Sequence, residues 1–533
     1  GAELPQQAGP PMPERRLTVL HFNDLHGRLA VFGRIAGWLA AERRRAAAQK
    51  DHVVLAVTAG DECGGALSDL LLGREGHPAY RLYSKAGVDL GVPGNHDLDL
   101  GAERLAQAIA RDARFPLLAA NVAGDAALAT CCFPAAIFVA KGLRIGLIGL
   151  TTPAQVHPDP VRGRCVTDPL AAAHHLVPAL RPLCDVLIIV SHLGLSLNQR
   201  SAVVEQAGDM ELARGLPPDA VHLIIGGHTH TVLNESGLSP ANVVNGIPIV
   251  QAGRFGQFVG EVEIRVGRTV EVTHACLRAT IELAEDEAFA AMHVRPLLAQ
   301  AEAEGRRVLG RVAADDDLSA DAVRDRFAEG ESALANFIAD ALVERCRAAG
   351  YEVDLAMIDT TSVNAGLRPG ATLTLGDWLG VMPFGDPVCL LRLTGRELEA
   401  LLRDNALRVD RPGEPHTCRG FLHFSAGVRY VIRLGPTRAD AEAAAITVDG
   451  RPLAANYDRT FTIATTSFVR GPAAAWEAIE GARLHRPLFA LSRLTREPTR
   501  LCARDLLLEH IAAHGGVVPE GGARRDGRVI VYP

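Results

Sequence analysis

The chain has 533 residues, too many for one core, which predicts two or three domains. Hydrophobic residues make up 48% of it, which predicts globular domains with sizeable cores and argues against a disordered chain. A formal net charge of −7 is small for this length and no basic block stands out, so composition offers nothing to nucleic acid or an anionic membrane.

Residues 1–16, Pro- and Gln-containing with no apolar core, predict a flexible lead-in, with Met12 as an alternative start. The apolar run 17–22 predicts a buried strand that breaks at once into Asn23-Asp24-Leu25-His26-Gly27. There Asp24 and His26 can turn toward one point, a donor pair suited to zinc, manganese or iron. Residues 33–50 follow as an amphipathic helix whose Arg43, Arg44 and Arg45 form a solvated end. A strand at 52–57 closes in Thr58-Ala59-Gly60-Asp61. Asp61 either caps a helix or bridges two metal ions, and Gly64 and Gly65 let the backbone approach whatever fills the site.

The next strand ends in Gly94-Asn95-His96-Asp97-Leu98-Asp99. Asn95 offers a neutral oxygen to a metal. His96 is a general-acid candidate or an electrostatic stabiliser, and Asp99 can hold its imidazole in one tautomer. An Asn-His pair by itself is ordinary turn chemistry. Strands predicted at 117–122 and 143–150 precede one at 185–190 that delivers Ser191-His192, and one at 221–225 that delivers His228-Thr229-His230. A further strand at 247–250 leads to Arg254, while His222, inside a strand pattern, is structural. Any one of these histidines alone is ordinary. The ordered recurrence of Asp24/His26, Asp61, Asn95/His96, His192 and His228/His230 at successive strand ends predicts a dinuclear metal centre.

Beyond Val272 the strand signal stops, and residues 284–304 predict a connecting helix. Residues 313–325 predict a surface loop, and a helix opens near 330–340 with Phe337, Ile338, Ala341 and Leu342 on its apolar face. A strand is expected at 460–465, a closing helix at 499–511, a loop at 515–528 and a last strand at 529–532. The ten cysteines form no CxxC pair. Cys184 and Cys389 lie in apolar segments as small buried hydrophobes, a pattern favouring free thiols and a reducing compartment.

The set NDLHG, AGDECGG, GNHDLDLG, SHLG and GGHTH resembles the calcineurin-like metallophosphoesterases, and within them the 5′-nucleotidase family, which includes UDP-sugar hydrolases and 2′,3′-cyclic phosphodiesterases. The resemblance implies a four-layer α/β/β/α sandwich followed by a smaller α/β substrate domain. It implies that Asp24, His26, Asp61 and His230 hold one divalent metal, and Asp61, Asn95, His192 and His228 the other. Manganese, zinc, iron and cobalt all suit such ligands. His96 and Asp99 match the family's catalytic pair. Two ions about 3.5–4 Å apart lower the pKa of a water and clamp phosphoryl oxygens, so no Ser or Cys nucleophile is required. Weaker matches continue in the GES…N run near 330, in MPFG at 382–385, in LTGREL at 393–398 and in GFLHFS at 420–425.

The second domain departs from the family where substrate is chosen. A phosphate-binding Arg is replaced by Asn364, another Arg by Gly330, and a base-stacking aromatic by Val388. Candidate substrate contacts are Asn121, Arg254, Asp359, Asn364, Arg368, Phe384, Arg470 and Trp476. Arg254, Arg368 or Arg470 can replace the lost arginines, and Trp476 can stack on a base. The expected division is a lead-in at 1–16, a metallophosphoesterase domain at 17–283, a helical linker at 284–306 and a substrate domain at 307–533. The expected activity is a metal-dependent phosphomonoesterase acting on a nucleotide or nucleotide-like small molecule, with no nucleic-acid or membrane partner. The alternatives are a phosphatase for a sugar phosphate or other ester, including a sulfur-centred one, and a non-catalytic metal-binding protein. A cytoplasmic location is favoured for the chain as it stands, a periplasmic or secreted one if a signal peptide has been removed.

Overall fold

The computed structural model describes residues 13–65, 67–72, 76–99, 101–153, 166–196, 207–313, 315–319, 330–383, 385–409, 421–466 and 497–533. The first strand, Arg15–Phe22, starts two residues before its apolar run. Arg15 and Arg16 continue the pairing with Val266 and Arg265, and Arg16 reaches Glu263 at 2.8 Å. Polar ends of this kind carry no hydrophobic signal.

Arg15–Phe22 lies inside a seven-stranded sheet, between Phe258–Val266, antiparallel, and His52–Thr58, parallel. Leu90–Gly91, Leu117–Leu118 and Cys132–Phe133 extend it on one side and Val270–Ala279 on the other. A second sheet of six strands runs Val243–Val244, Ile247–Val250, Leu223–Ile225, Val186–His192, Leu143–Thr151 and Ala135–Ala140. Strand alternation decides the layering. Leu17 and Val19 pack between the sheets with Val186, Ile188 and Val190, whereas Leu20 and Phe22 face the helices Phe32–Ala47 and Pro78–Ala86. Leu187 and Ile189 face the opposite way, toward Pro169–Leu180 and Asp209–Gly215. The result is the expected four-layer α/β/β/α sandwich.

Three sequence expectations need correction. The strand predicted at 117–122 stops after Leu118, because Ala120 turns to bond Gly149 of the other sheet. The strand signal that fades at Val272 hides a strand reaching Ala279, an edge strand with Thr273 and His274 in solvent and so without an apolar face to read. The closing helix begins at Ala503 and not at 499, since Glu497–Cys502 is a strand. It forms the sheet's edge, where the missing N–H of Pro498 is tolerated.

The predicted connecting helix is real but broken into Glu287–Phe289, a π turn at Ala290–Val294 and Arg295–Gly305. Val294, Leu297 and Ala301 bury into the first helical core. The second half centres on a five-stranded sheet ordered Leu422–Phe424, Leu355–Asp359, Thr460–Thr466, Pro387–Thr394 and Glu497–Cys502. Helices Ala333–Ala348 and Ala503–His514 bury Phe337, Ile338, Leu507 and Ile511 on one face, and Gly395–Ala406 covers the other. Ser332 caps the first of these helices, and Glu331 accepts from Asn336 and from the backbone of Asp526 and Gly527. The GES…N run is therefore a structural bracket. Cys389 is fully buried as expected, while Cys184 is only partly so. Among the described residues no helix is long and apolar enough to cross a membrane.

Candidate metal centre

The site is built where strands of the two sheets end side by side. Arg15–Phe22 leads to Asp24 and His26, His52–Thr58 to Asp61, Leu90–Gly91 to Asn95 and His96, Val186–His192 ends on His192, and Leu223–Ile225 leads to His228 and His230. Their donor atoms converge in two groups, Asp24 with His26 and His230, and Asp61 with His192 and His228. Asp24 Oδ1 has the Nε2 atoms of His230, His26 and His192 at 3.4, 3.5 and 3.8 Å. Asp61 Oδ2 has His192 Nε2 at 3.0 Å and His26 Nε2 at 3.6 Å, so this carboxylate touches both groups.

The surroundings prepare these atoms as ligands. The Nδ1 of His26 donates to Gly64 O at 2.7 Å and that of His192 to Ala59 O at 2.6 Å, which leaves both Nε2 lone pairs facing inward. Asp24 spends Oδ2 on Asn23 Nδ2 and on the His228 amide, and Asp61 spends Oδ1 on the His96 amide. The remaining oxygens point into the cluster. Asp24 Oδ1 is buried and accepts no hydrogen bond. Carboxylate and imidazole donors arranged this way fit divalent metal ions.

Backbone conformation tells the same story. Asp24, His26, Asp61, His228 and His230 have φ of 54°, 48°, 56°, 76° and 57°, in the left-handed region that side-chain-bearing residues seldom adopt. A methyl group on Gly94 would overlap Asp61 Oδ1, and one on Gly227 would sit 2.9 Å from Asp24 Oδ2. Both glycines supply the space the ligands occupy.

Charge is tightly coupled here. Burial opposes ionisation of Asp24 and Asp61, yet His192 and the other imidazoles hold both well below the ordinary carboxylate range. Burial likewise opposes a charge on His192, but Asp61 and Asp24 push it up to about 10, so protons compete for these donors. His228, buried beside His192, is lowered to about 3 and stays neutral. His96 sits next to the cluster, its ring 5.4 Å from that of His26, with Nδ1 2.8 Å from Asp99 Oδ2. Burial works against its protonation, and Asp99 and Asp61 still hold it well above its usual value.

The expected substrate residues fare unevenly. Asn121 is a correction: it is fully buried, and its amide is consumed by Thr151 and Thr167, tying the end of the strand Leu143–Thr151 to the segment before the helix Pro169–Leu180 instead of facing a ligand. Arg254 is exposed, its guanidinium 4.7 Å over the Phe255 ring, which itself abuts His26 and His230. Asp359 closes its strand beside Leu422, and Asn364 and Arg368 are exposed in the segment after it. Phe384, Arg470 and Trp476 lie outside the described residues. Gly330 has φ 89° and abuts Val529 and Val531, so a side chain at this position would be strained in this backbone. Val388 is fully buried.

Several residues escaped sequence reasoning. Asn23 brackets Asp24 and bonds Gly253 and Ala252. Asp97 accepts from the amides of Asp61, Glu62, Cys63 and Gly94, locking two ligand loops together. From the second half of the chain, Asp386 and Arg504 reach the dyad: both act electrostatically on Asp99, and Arg504 also on Asp69. Burial and then Asp99 raise Asp386 to about 6. Arg504 donates to Pro383 O. Asp97 was visible between two singled-out residues, but nothing local marks Arg504.

Comparison with known proteins extends this picture. The calcineurin-like phosphoesterase family matches residues 17–232, and the 5′-nucleotidase C-terminal domain family matches residues 308–479. The chain belongs to the calcineurin-like 5′-nucleotidase family. A 5′-nucleotidase of Vibrio cholerae is 27% identical over 496 residues, covering 85% of this chain and 84% of that protein. A putative 5′-nucleotidase from Staphylococcus aureus, solved in complex with alpha-ketoglutarate, superposes with a TM-score of 0.70 at 16% identity over 97% of this chain and 99% of that one. The 5′-nucleotidase precursor from Thermus thermophilus gives 0.59 at 23% identity over the same shares. These structures establish the fold. As a family member this chain is a phosphoesterase-type hydrolase, and the family implies divalent metal.

Proposed function

We propose that this 5′-nucleotidase family member is a two-metal phosphomonoesterase whose substrate is a nucleotide or nucleotide-like ester. The observation that carries the reading is the inward convergence of His26 and His192 Nε2 with Asp24 Oδ1 and Asp61 Oδ2, their outer atoms already bonded. Asp24, His26, Asp61 and His230 would hold one ion and Asp61, Asn95, His192 and His228 the other. When bound, such a pair polarises phosphoryl oxygens and supplies an activated water.

The protein's own groups then do the rest. His96 holds a proton at Nε2 for the departing oxygen, with Asp99 pinning Nδ1 so that this atom faces the reacting group. Arg504 supplies positive charge beside the dyad from the second domain. In this division residues 17–283 carry the metals, 284–306 link, and 307–533 close over the substrate.

A second reading, a sugar phosphate or other small ester, is favoured by one observation. Val388, where the family presents a base-stacking ring, is fully buried in the core. The test is phosphate release from AMP, UDP-glucose, a 2′,3′-cyclic nucleotide and several sugar phosphates with manganese present, using Asp61→Ala as control. Turnover led by AMP and lost in Asp61→Ala supports the first reading. Sugar phosphate leading transfers the assignment to the second, and metal retention without any turnover refutes both. Arg504→Ala should raise KM for the preferred ester more than it lowers kcat.

A further inference from the structure

Outside the catalytic cluster, two helices of the second domain end at the same point. Ala333–Ala348 carries Glu344 one turn before its end, and the last two turns of Ala503–His514 carry His510 and His514 on one face, four residues apart. Glu344 Oε2 lies 3.5 Å from His510 Nδ1 and 3.4 Å from His514 Nε2, and the two rings are 4.4 Å apart between centroids. The other Glu344 oxygen is held by Arg345 at 2.8 Å, which fixes Oε2 toward the histidines.

His510 is the telling residue. Its side chain is 0% exposed, and its Nε2 bonds Gly521 O at 2.8 Å. Donation there leaves Nδ1 as a lone pair, buried and without a hydrogen bond, aimed at Glu344 and His514. A histidine whose outer nitrogen donates to a backbone carbonyl while its inner one faces a second imidazole and a carboxylate is arranged as a metal ligand. Distances agree with that. Ligand bonds of about 2.0–2.1 Å to a tetrahedral ion place the donor atoms about 3.3–3.4 Å apart, close to the two separations measured.

We propose that Glu344 Oε2, His510 Nδ1 and His514 Nε2 form an additional mononuclear site for a divalent ion of the zinc class, with the fourth position open on the solvent side of Glu344. Two imidazoles and one carboxylate are a zinc-type donor set. The ion would staple the ends of the two helices to each other and, through the His510–Gly521 bond, to the turn Pro519–Gly521. Its role is separate from ester hydrolysis and does not depend on which ester is cleaved.

The test uses the full chain, stripped with chelator and reloaded with micromolar zinc, with bound metal counted per chain after dialysis. Glu344→Gln and His514→Ala, both at partly or fully exposed positions, keep the fold measurable where a change at buried His510 threatens it. Each should bind one ion fewer than wild type and keep phosphate release unchanged. Zinc should raise the melting temperature of an Asp61→Ala protein but not of Asp61→Ala combined with His514→Ala. Equal metal counts in wild type and both variants, or an equal zinc-induced rise with and without His514, would overturn the proposal.

Discussion

Replacing Asp99 by asparagine isolates the proton held at His96. The carboxylate lies 2.8 Å from His96 Nδ1, and it is the foremost charge keeping a buried imidazole protonated. A neighbouring carboxylate moves a pKa by about 1–3 pH units, equivalent to about 1.4–4 kcal/mol. Asparagine preserves the shape and an acceptor oxygen but removes the charge. The variant ring should therefore release its proton at a lower pH than the wild-type ring. If that proton passes to the leaving oxygen, kcat/KM for an alkyl phosphate falls by about 10–10³-fold. p-Nitrophenyl phosphate, whose phenolate departs unprotonated, should change little. The alkaline limb of the alkyl-ester profile should move to lower pH by about 1–3 pH units, with activity recovering as the pH falls. Metal content should stay constant, because Asp99 contributes no ligand. An equal fall with both esters at every pH refutes transfer to the leaving oxygen and leaves His96 as a stabiliser of phosphoryl charge. No change with either ester refutes the orienting role of Asp99.

Other perturbations reach different layers. Gly94→Ala drives a methyl group into Asp61 and should cost about 1–3 kcal/mol, lowering Tm by about 2–4 °C per kcal/mol and reducing bound metal; calorimetry with metal analysis would expose an error if both stayed at wild-type values. Arg528 is buried against Asp340 and Asp526, with contacts of 2.8 and 2.9 Å, so Arg528→Met removes the buried cation they share, leaving Asp526 with Arg429 at 3.3 Å and Asp340 with the Ala426 amide, and should cost about 3–5 kcal/mol in urea unfolding. A loss below about 1 kcal/mol would place that network among weak surface pairs. His21, His77 and His423 are each lowered to about 3 by burial. Their neutral forms support the fold fully above the unfolded value near 6.5, and that support is lost as pH falls from there toward 3. The urea midpoint should therefore drop between pH 6.5 and 4, less steeply in His423→Gln, and a flat midpoint would contradict the assignment.

Much of the first domain was legible because its strands are buried on both faces and print as unbroken apolar runs, as at residues 186–190. The candidate donor cluster was legible because most of its residues follow closely on such a run. What stayed hidden lacked a local signature. Val270–Ala279 is an edge strand with polar residues on its open face. Glu497–Cys502 carries a proline that reads as a stop until its edge position is known. Asn121 was read as a substrate contact, yet burial turned its amide to backbone. Arg504 meets Asp99 only because two domains fold against each other across some four hundred residues of chain, a distance no motif spans.

The left-handed backbone at Asp24, His26, Asp61, His228 and His230 bears on the order in which this molecule is made. An unfolded chain rarely visits that region at non-glycine residues, so the donors are not assembled before the two sheets have closed around them. A divalent ion bound there would arrive last. In zinc fingers the metal organises the chain, and chelation unfolds it; here the sheets hold the ligands in place beforehand. A demetallated molecule should therefore remain a folded, silent vessel that can be recharged, and its activity in a cell would follow metal supply without any need to synthesise the protein again.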